Sequence, residues 1–208
     1  MILSKENTLI ILDWDDTLFP TTWITTNSID IKEISENNKL MDYFKQVDNE
    51  LSGLLKILIN LGNVIIVTNA MLNWINLSLT ILPLTSKLIK KSNKQSKLIE
   101  VISARARCQE QTSNPMEWKK ITFNELIYNA YSNKKINNVI SIGDAEYEYT
   151  ALVELYEHDS KNYKLLKSVK FIKYPTRDVL LDQLKVLQRV VRRICVIKKH
   201  LDLKFKTL

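Results

Sequence analysis

Short apolar, β-branched runs alternate along the chain with longer stretches in which apolar residues recur at helical spacing. The runs cover residues 8–14, 63–69, 98–104, 137–144 and 166–174. Each run is apolar almost continuously, which is typical of strands buried on both faces. The stretches of helical period lie near residues 38–60, 70–82, 115–132, 146–157 and 177–200. Five strands separated by helices predict an α/β fold: a central parallel five-stranded sheet with helices on both faces.

The length and composition fit one domain over residues 1–208. A chain of 208 residues, 45% of them apolar, can bury one substantial core, since domains commonly hold roughly 100 to 200 residues. Residues 19–37 and 85–97 are polar and fall outside the alternation, and neither is long enough to bury a core of its own. We interpret both as surface excursions of a single domain.

The sequence also indicates the cellular compartment. No uninterrupted apolar stretch reaches the ~18 to 20 residues that span a bilayer, and the first residues lack the pattern of a secretory signal. Cys108 and Cys195 are far apart and lack the paired spacing of a zinc or redox site, which favours structural thiols in a reducing compartment. We expect a cytoplasmic protein with no membrane span.

Positive charge is concentrated at the C-terminal end. Residues 160–208 carry fourteen Lys and Arg against three Asp, whereas the whole chain has a net charge of +7. Apolar residues recur at helical spacing over 179–196, which predicts a final helix in a basic C-terminal helical segment, 176–208. This segment could contact nucleic acid, although a solvated helix that covers the sheet is the commoner meaning of such a pattern.

Acidic residues follow the first predicted strand, in the run DWDDT at 13–17. Residues two apart in an extended chain point the same way, so Asp13 and Asp15 can face one crevice. Carboxylates in this position suit Mg²⁺, which prefers a few carboxylates together with phosphate and water. One carboxylate could attack phosphorus while a second moves protons. A cluster of helix N-caps is the alternative interpretation.

Two further strand ends carry polar residues. Thr68 and Asn69 end the second run, where a hydroxyl and helix N–H groups suit a phosphate, although an ordinary cap has the same residues. Gly143 and Asp144 end the fourth run, and another carboxylate beside the first pair makes a metal site more plausible, since close acids repel without a cation. Glu148 could orient a metal-bound water or complement the dipole of its helix.

A lysine completes the predicted site. Lys119 and Lys120 follow Pro115, which is well placed near the start of a helix. An ammonium in the first turns could reach the crevice, bind a phosphate oxygen and hold Asp13. Neighbouring residues point about 100° apart on a helix, so one of the two lysines would serve. We favour Lys119, because Trp118 would anchor this helix in the core.

Taken in order, these elements resemble the haloacid dehalogenase superfamily. The matching motifs are DWDDT at 13–17, a strand ending in Thr68, a lysine at 119 or 120, and GDxxxE at 143–148. The resemblance implies the Rossmann-like fold of that superfamily. An Asp at position 15 is similar to its phosphatases rather than to its dehalogenases or phosphonatases.

The resemblance implies a role for each matching residue. Asp13 would be the nucleophile, and Asp15 the general acid and base. Thr68 and a lysine, Lys119 in our interpretation, would bind the phosphate of the substrate. Asp13 and Asp144 would hold Mg²⁺ together with the backbone carbonyl of Asp15.

The intervals after the first and second motifs are modest, which resembles a minimally capped member similar to the magnesium-dependent phosphatases. An open crevice admits bulky phosphorylated substrates, macromolecules included. We therefore predict a magnesium-dependent phosphomonoesterase that works through an aspartyl-phosphate intermediate. The alternatives are a phosphatase of nucleic-acid ends or nucleotides, and a non-catalytic module that binds phosphate. Oligomeric state and physiological substrate are not decided by the sequence.

Overall fold

The computed structural model describes residues 3–90, 92–93, 96–97, 99–132, 136–158 and 164–206, without the side chains of 92–93, 96–97, 127–132 and 158. The ends of the predicted domain and of its basic segment, and part of the predicted excursion 85–97, lie outside these residues.

Five strands of the described chain follow the predicted runs, and three shorter strands lie outside them. They are β1 (Thr8–Leu12), β2 (Asn63–Thr68), β3 (Ser92–Asn93), β4 (Ser96–Lys97), β5 (Ile99–Ser103), β6 (Asn138–Gly143), β7 (Leu165–Lys170) and β8 (Leu201–Lys204).

Helices fill most of the intervals between these strands. They are α1 (Thr21–Thr26), α2 (Asn38–Leu61), α3 (Leu72–Ser78), α4 (Pro83–Lys90), α5 (Ala104–Cys108), α6 (Pro115–Ser132), α7 (Glu146–His158) and α8 (Arg177–Val196). Short 3-10 helices lie at Lys5–Asn7, Ile31–Glu36 and Leu79–Ile81.

One parallel sheet organises the chain, in the order β5-β2-β1-β6-β7-β8. The predicted α/β class is confirmed, and the arrangement is compatible with a Rossmann-like fold. The predicted number of five strands is wrong, because β8 pairs with β7 as a sixth. This edge strand is four residues long and mostly exposed, so it lacks the continuous apolar run that marks the others. β3 and β4 form a separate antiparallel pair.

The core lies on both faces of the sheet. All five residues of β1 are buried, and its side chains alternate between two apolar clusters. Ile10 and Leu12 pack in the larger cluster, with residues of α2 and α8. Leu9 and Ile11 pack in the smaller one, with residues of α6 and α7. The period of two along a strand thus explains why one apolar run needs helices on both sides.

The segment 19–37, interpreted as a polar surface excursion, is partly core. It contains α1 and a 3-10 helix, and its apolar side chains Phe19, Ile24, Ile31 and Ile34 are buried in the larger cluster. These residues are separated by polar ones and follow no single period, so a pattern of regular spacing does not detect them. The segment therefore packs against the domain instead of standing off it.

Hydrogen bonds fix both ends of the final helix, α8. At its start, Tyr43 Oη donates a hydrogen bond to the carbonyl of Arg177, at 2.9 Å. At its end, the buried Lys167 Nζ and Asn138 Nδ2 donate to the carbonyl of Cys195, at 2.9 and 3.0 Å. Asn138 begins β6, so the end of α8 lies at the amino ends of the strands.

The described residues were also expected to lack a membrane span and to contain two structural thiols. Among the described residues, no helix combines the length and apolarity that crossing a bilayer requires. Cys108 and Cys195 are both buried free thiols, and burial raises the pKa of Cys195 to about 11.

Asp48 provides a test of the helix packing. Its buried carboxylate accepts hydrogen bonds from the backbone N of Leu84 and of Thr85, each at 2.8 Å, and so caps the start of α4. We expect Asp48→Ala to lower the free energy of unfolding by about 2 kcal/mol, because two backbone donors lose their partner. Urea denaturation measures this change.

Asp42→Ala is the matched control in the same helix. Asp42 forms an exposed ion pair with Lys45 at 3.3 Å, and such pairs contribute roughly 0 to 1 kcal/mol. Equal losses in the two variants would contradict a capping role for Asp48.

Candidate active site

The predicted acids meet because β1 lies between β2 and β6. The backbone N of Asp13 donates to the carbonyl of Ile142 at 2.9 Å, which continues the pairing of β1 and β6 beyond the end of β1. Asp13 therefore follows β1 at the same edge at which Asp144 follows β6. Thr68 ends β2 at this edge as well. In open parallel sheets ligands bind at the carboxyl ends of the strands, and this is that edge.

A buried ion pair joins Asp13 to the helix α6. Lys119 is 1% exposed, and its Nζ lies 2.7 Å from Asp13 Oδ1. The same ammonium also forms an ion pair with the buried carboxylate of Glu148. Burial acts to lower the pKa of Lys119, but the two carboxylates outweigh it and the net pKa is raised. Lys119 therefore stays charged and ties α6 and α7 to the end of β1.

The neighbouring Lys120 points elsewhere. Its Nζ lies 2.9 Å from Glu154 Oε1 on α7, and both side chains are partly exposed. The two lysines therefore occupy different environments, as their angular separation on the helix requires. Lys119 is the one beside Asp13, and its role as a substrate-binding residue stays a prediction.

Negative charge exceeds positive charge in this cluster. Burial raises the pKa of Asp13 well above its usual value, and Lys119 opposes this while Glu148 and Asp144 add to it. Burial and the charge of Glu148 raise the pKa of Asp144 to about 6. The Oε2 atom of Glu148 is buried and has no hydrogen-bond partner. Three carboxylates thus share one ammonium, an arrangement that a cation would relieve.

The donor set fits Mg²⁺ in its chemistry. The described residues contain no cluster of three or more Asp, Glu, His or Cys side chains arranged to hold a metal ion. The predicted site uses two carboxylates, Asp13 and Asp144, with the backbone carbonyl of Asp15 as the third oxygen. Mg²⁺ usually takes one or two carboxylates and keeps several waters, so a set of two side chains suits it. The metal site stays a prediction.

The carboxylate of Asp15 is surrounded by donors. Its Oδ1 accepts from the hydroxyl of Thr21 at 2.6 Å and from the indole Nε1 of Trp74 at 2.9 Å. Its Oδ2 accepts from the hydroxyl of Thr68 at 2.9 Å. The predicted proton-transfer residue and one predicted phosphate ligand therefore contact each other directly. Trp74 and Thr21 belong to helices that carry no recognisable motif.

Asn69 has a structural contact that the sequence does not reveal. Its Nδ2 donates to the carbonyl of Pro115 at 3.0 Å, which joins the end of β2 to the start of α6. Its buried Oδ1 has no partner, and an amide oxygen only accepts hydrogen bonds, so that atom offers nothing to an anion. Its predicted substrate-binding role stays untested, and the contact seen is a tether near Lys119.

Other basic side chains have partners of their own. Arg105 lies over the ring of Trp118, 5.7 Å from its centroid, and Arg107 pairs with Glu125 at 3.5 Å. The helix α8 ends at the amino ends of the strands, on the opposite side of the sheet from the acids. Nucleic-acid binding by the basic C-terminal segment stays a prediction.

Sequence reasoning missed two of the residues that surround the acids and did not predict the contact of a third. Trp74 and Thr21 contact Asp15, and Glu148 pairs with Lys119 where the sequence left its role open between two others. Each contact joins residues far apart in the chain or across a turn, so no local spacing marks it.

Comparison of the chain with family models, curated proteins and solved structures finds no significant match. The resemblance to the haloacid dehalogenase superfamily therefore stays a prediction that rests on the four motifs. The geometry of the described residues is what supports a function.

Separate substitution of the adjacent lysines tests whether the buried ion pairs of Lys119 stabilise the fold. We expect Lys119→Met to lower the free energy of unfolding by about 3 to 5 kcal/mol at pH 7, because it leaves buried carboxylates without their partner. Lys120→Met should lower it far less, since it breaks a partly exposed pair. Guanidinium denaturation of both variants measures the difference. Comparable losses would contradict the buried pairing of Lys119.

Proposed function

We propose that this protein is a magnesium-dependent phosphomonoesterase of the haloacid dehalogenase type. The observation that carries the proposal is the pairing of buried Lys119 with Asp13, at 2.7 Å, at the carboxyl edge of a parallel sheet. The ammonium acts against the effect of burial on the pKa of Asp13 and so favours the ionised form that a nucleophile requires. Asp15 and Asp144 at the same edge supply the further acids that phosphoryl transfer by this route needs.

In the first step Asp13 acts as the nucleophile. A carboxylate oxygen of Asp13 forms a bond to phosphorus while the bond between phosphorus and the ester oxygen breaks. The carboxyl group of Asp15 gives its proton to the departing oxygen, so the product leaves as a neutral alcohol. The phosphoryl group is then held on Asp13 as an acyl phosphate.

In the second step the acyl phosphate is hydrolysed. The carboxylate of Asp15 takes a proton from a water molecule as the oxygen of that water attacks phosphorus. The bond between phosphorus and the Asp13 oxygen breaks, which restores the Asp13 carboxylate and releases inorganic phosphate. Asp15 regains the proton that it gave in the first step, so both residues return to their starting state.

Thr68 and Lys119 are the proposed phosphate ligands. The hydroxyl of Thr68 donates to Asp15, the ammonium of Lys119 pairs with Asp13, and both side chains are buried. Donors held in place before the substrate arrives stabilise the charge that develops on the transferred group. Gly143 leaves room for the carboxyl group of Glu148, the second partner of Lys119, because a Cβ at position 143 would lie 2.9 Å from its carboxyl carbon.

Asp13, Asp144 and the backbone carbonyl of Asp15 are the proposed ligands of Mg²⁺. The chemistry that Mg²⁺ supplies when bound is neutralisation of charge on the phosphate and its alignment for attack. The unpartnered Oε2 of Glu148 and the raised pKa of Asp144 both support a cation at this position.

Activity tests the nucleophile directly. We expect hydrolysis of p-nitrophenyl phosphate by the wild type with Mg²⁺, loss of it with EDTA, and a fall of at least about 10³-fold in kcat for Asp13→Asn, because an amide is not a nucleophile at neutral pH. Glu148 still pairs with Lys119 in this variant, so the fold should persist. The surface variant Asp42→Asn should keep full activity. Turnover by Asp13→Asn near the wild-type rate would contradict the mechanism.

Metal binding can be measured without turnover. Mg²⁺ at ten times its Kd should stabilise the wild type by about 1.4 kcal/mol, or roughly 3 to 6 °C in Tm. Asp144→Asn should lose this shift, and should have the higher Tm without Mg²⁺ because it removes one of the repelling charges.

Glu146→Gln is the matched control for the metal measurement. Glu146 lies two residues further on and pairs with Lys170 instead of facing the acids. This variant should keep the Mg²⁺ shift. An equal shift in Asp144→Asn and the wild type would exclude Asp144 as a ligand.

A further inference from the structure

The two oxygens of the Asp15 carboxylate accept different numbers of hydrogen bonds. Its Oδ1 accepts two hydrogen bonds, from the hydroxyl of Thr21 at 2.6 Å and from the indole of Trp74 at 2.9 Å. Its Oδ2 accepts one, from Thr68 at 2.9 Å. The donors to Oδ1 come from α1 and α3, whereas the donor to Oδ2 is a proposed phosphate ligand. The two oxygens of Asp15 therefore face different partners.

The donors to Oδ1 are themselves fixed. An indole N–H only donates, so Oδ1 must remain an acceptor while Trp74 contacts it. The Trp74 ring packs edge-on against the buried ring of Phe19, with centroids 6.0 Å apart. Thr21 is the first residue of α1. Two donors that come from separate helices and meet at one oxygen oppose rotation of the carboxylate.

The partner of Oδ2 can exchange its bond. The hydroxyl of Thr68 donates to Oδ2 and accepts from the backbone N of Ala70 at 2.9 Å. A hydroxyl has one hydrogen to donate. When Oδ2 carries a proton, Thr68 is released to donate to a phosphate oxygen instead. Oδ2 is therefore the oxygen next to the proposed phosphate position.

We propose that Trp74 and Thr21 are positioning residues that hold Oδ1 of Asp15 and thereby direct Oδ2 at the departing oxygen of the substrate. The inference rests on the proposed phosphatase function. Oδ2 gives its proton to the ester oxygen as the bond to phosphorus breaks, and takes one from water in the second step. Trp74 and Thr21 act only through Asp15.

The leaving group reports on this role. A p-nitrophenolate ion is stable and leaves with little help from an acid, whereas phenol leaves more slowly unless its oxygen is protonated. Misdirection of Asp15 should therefore slow the hydrolysis of phenyl phosphate more than that of p-nitrophenyl phosphate. The value of kcat/KM covers the steps up to loss of the alcohol, so it isolates the proton transfer to the leaving group.

The experiment compares the two esters in Trp74→Phe and Thr21→Val. Trp74→Phe keeps a ring against Phe19 and removes the N–H, and Thr21→Val keeps the shape and removes the hydroxyl. We expect kcat/KM for phenyl phosphate to fall about tenfold further than kcat/KM for p-nitrophenyl phosphate in each variant. Thr21→Ser, which restores the hydroxyl, should return the ratio of the two values to that of the wild type.

Two control variants remove an indole N–H or a hydroxyl that does not contact Asp15. Trp118→Phe removes an indole N–H that donates to the carbonyl of Thr112 at 2.7 Å. Thr25→Val removes a hydroxyl one turn further along α1 that donates to backbone carbonyls. Both should leave the ratio for the two esters unchanged, whatever they do to stability.

The outcomes separate this inference from the function on which it rests. Equal falls for both esters in Trp74→Phe and Thr21→Val, with wild-type turnover intact, would overturn the positioning role alone. Absence of wild-type turnover on either ester would overturn the proposed function and the inference with it. If Trp74→Phe unfolds, the indole N–H resonance of Trp74 should still shift in Asp15→Asn while that of Trp118 does not. An unmoved Trp74 resonance would also overturn the role.

Discussion

The buried ammonium of Lys119 is the contact on which the rest of the site depends. It lies between Asp13 and Glu148, both buried, with Asp144 close enough to raise the pKa of Asp13. Without that positive charge, the carboxylates that follow β1 and β6 would repel one another in a medium of low dielectric. The pairing also requires α6 to approach the end of β1 closely. The hydrogen bond from Asn69 to the carbonyl of Pro115 holds the start of α6 at the end of β2, which lies beside β1.

The strand order makes such a cluster possible. β1 lies between β2 and β6, so residues from widely separated parts of the chain end at one edge and within reach of one another. Between the two acids that follow β1, Trp14 is fully buried and stacks with Phe19. The alternation of side chains thus separates core from crevice within three residues. The segment after this motif contributes both Phe19 to the core and Thr21 to Asp15, so it supports the site as well as the fold.

Much of the fold could be anticipated because buried parallel strands leave continuous apolar runs in the sequence. The five long strands have this signal, and the longer helices between them show apolar residues at helical spacing. β8 does not, since an edge strand with three exposed residues has no need of it, and its pairing depends on where α8 ends. The burial of Ile31 and Ile34 was missed for a related reason, because a 3-10 helix of one or two turns leaves no period long enough to recognise.

By itself the sequence determined the α/β class and the ends of the main strands, and it grouped Asp13, Asp15, Thr68, Lys119 and Asp144 as one candidate set. It could do so because strand burial and strand ends are local properties of the chain. Only the tertiary structure decided which lysine contacts Asp13, that Glu148 shares that lysine, and that Trp74 and Thr21 hold Asp15. These contacts join helices whose relative placement depends on packing against the whole core, and no spacing along the chain encodes that placement.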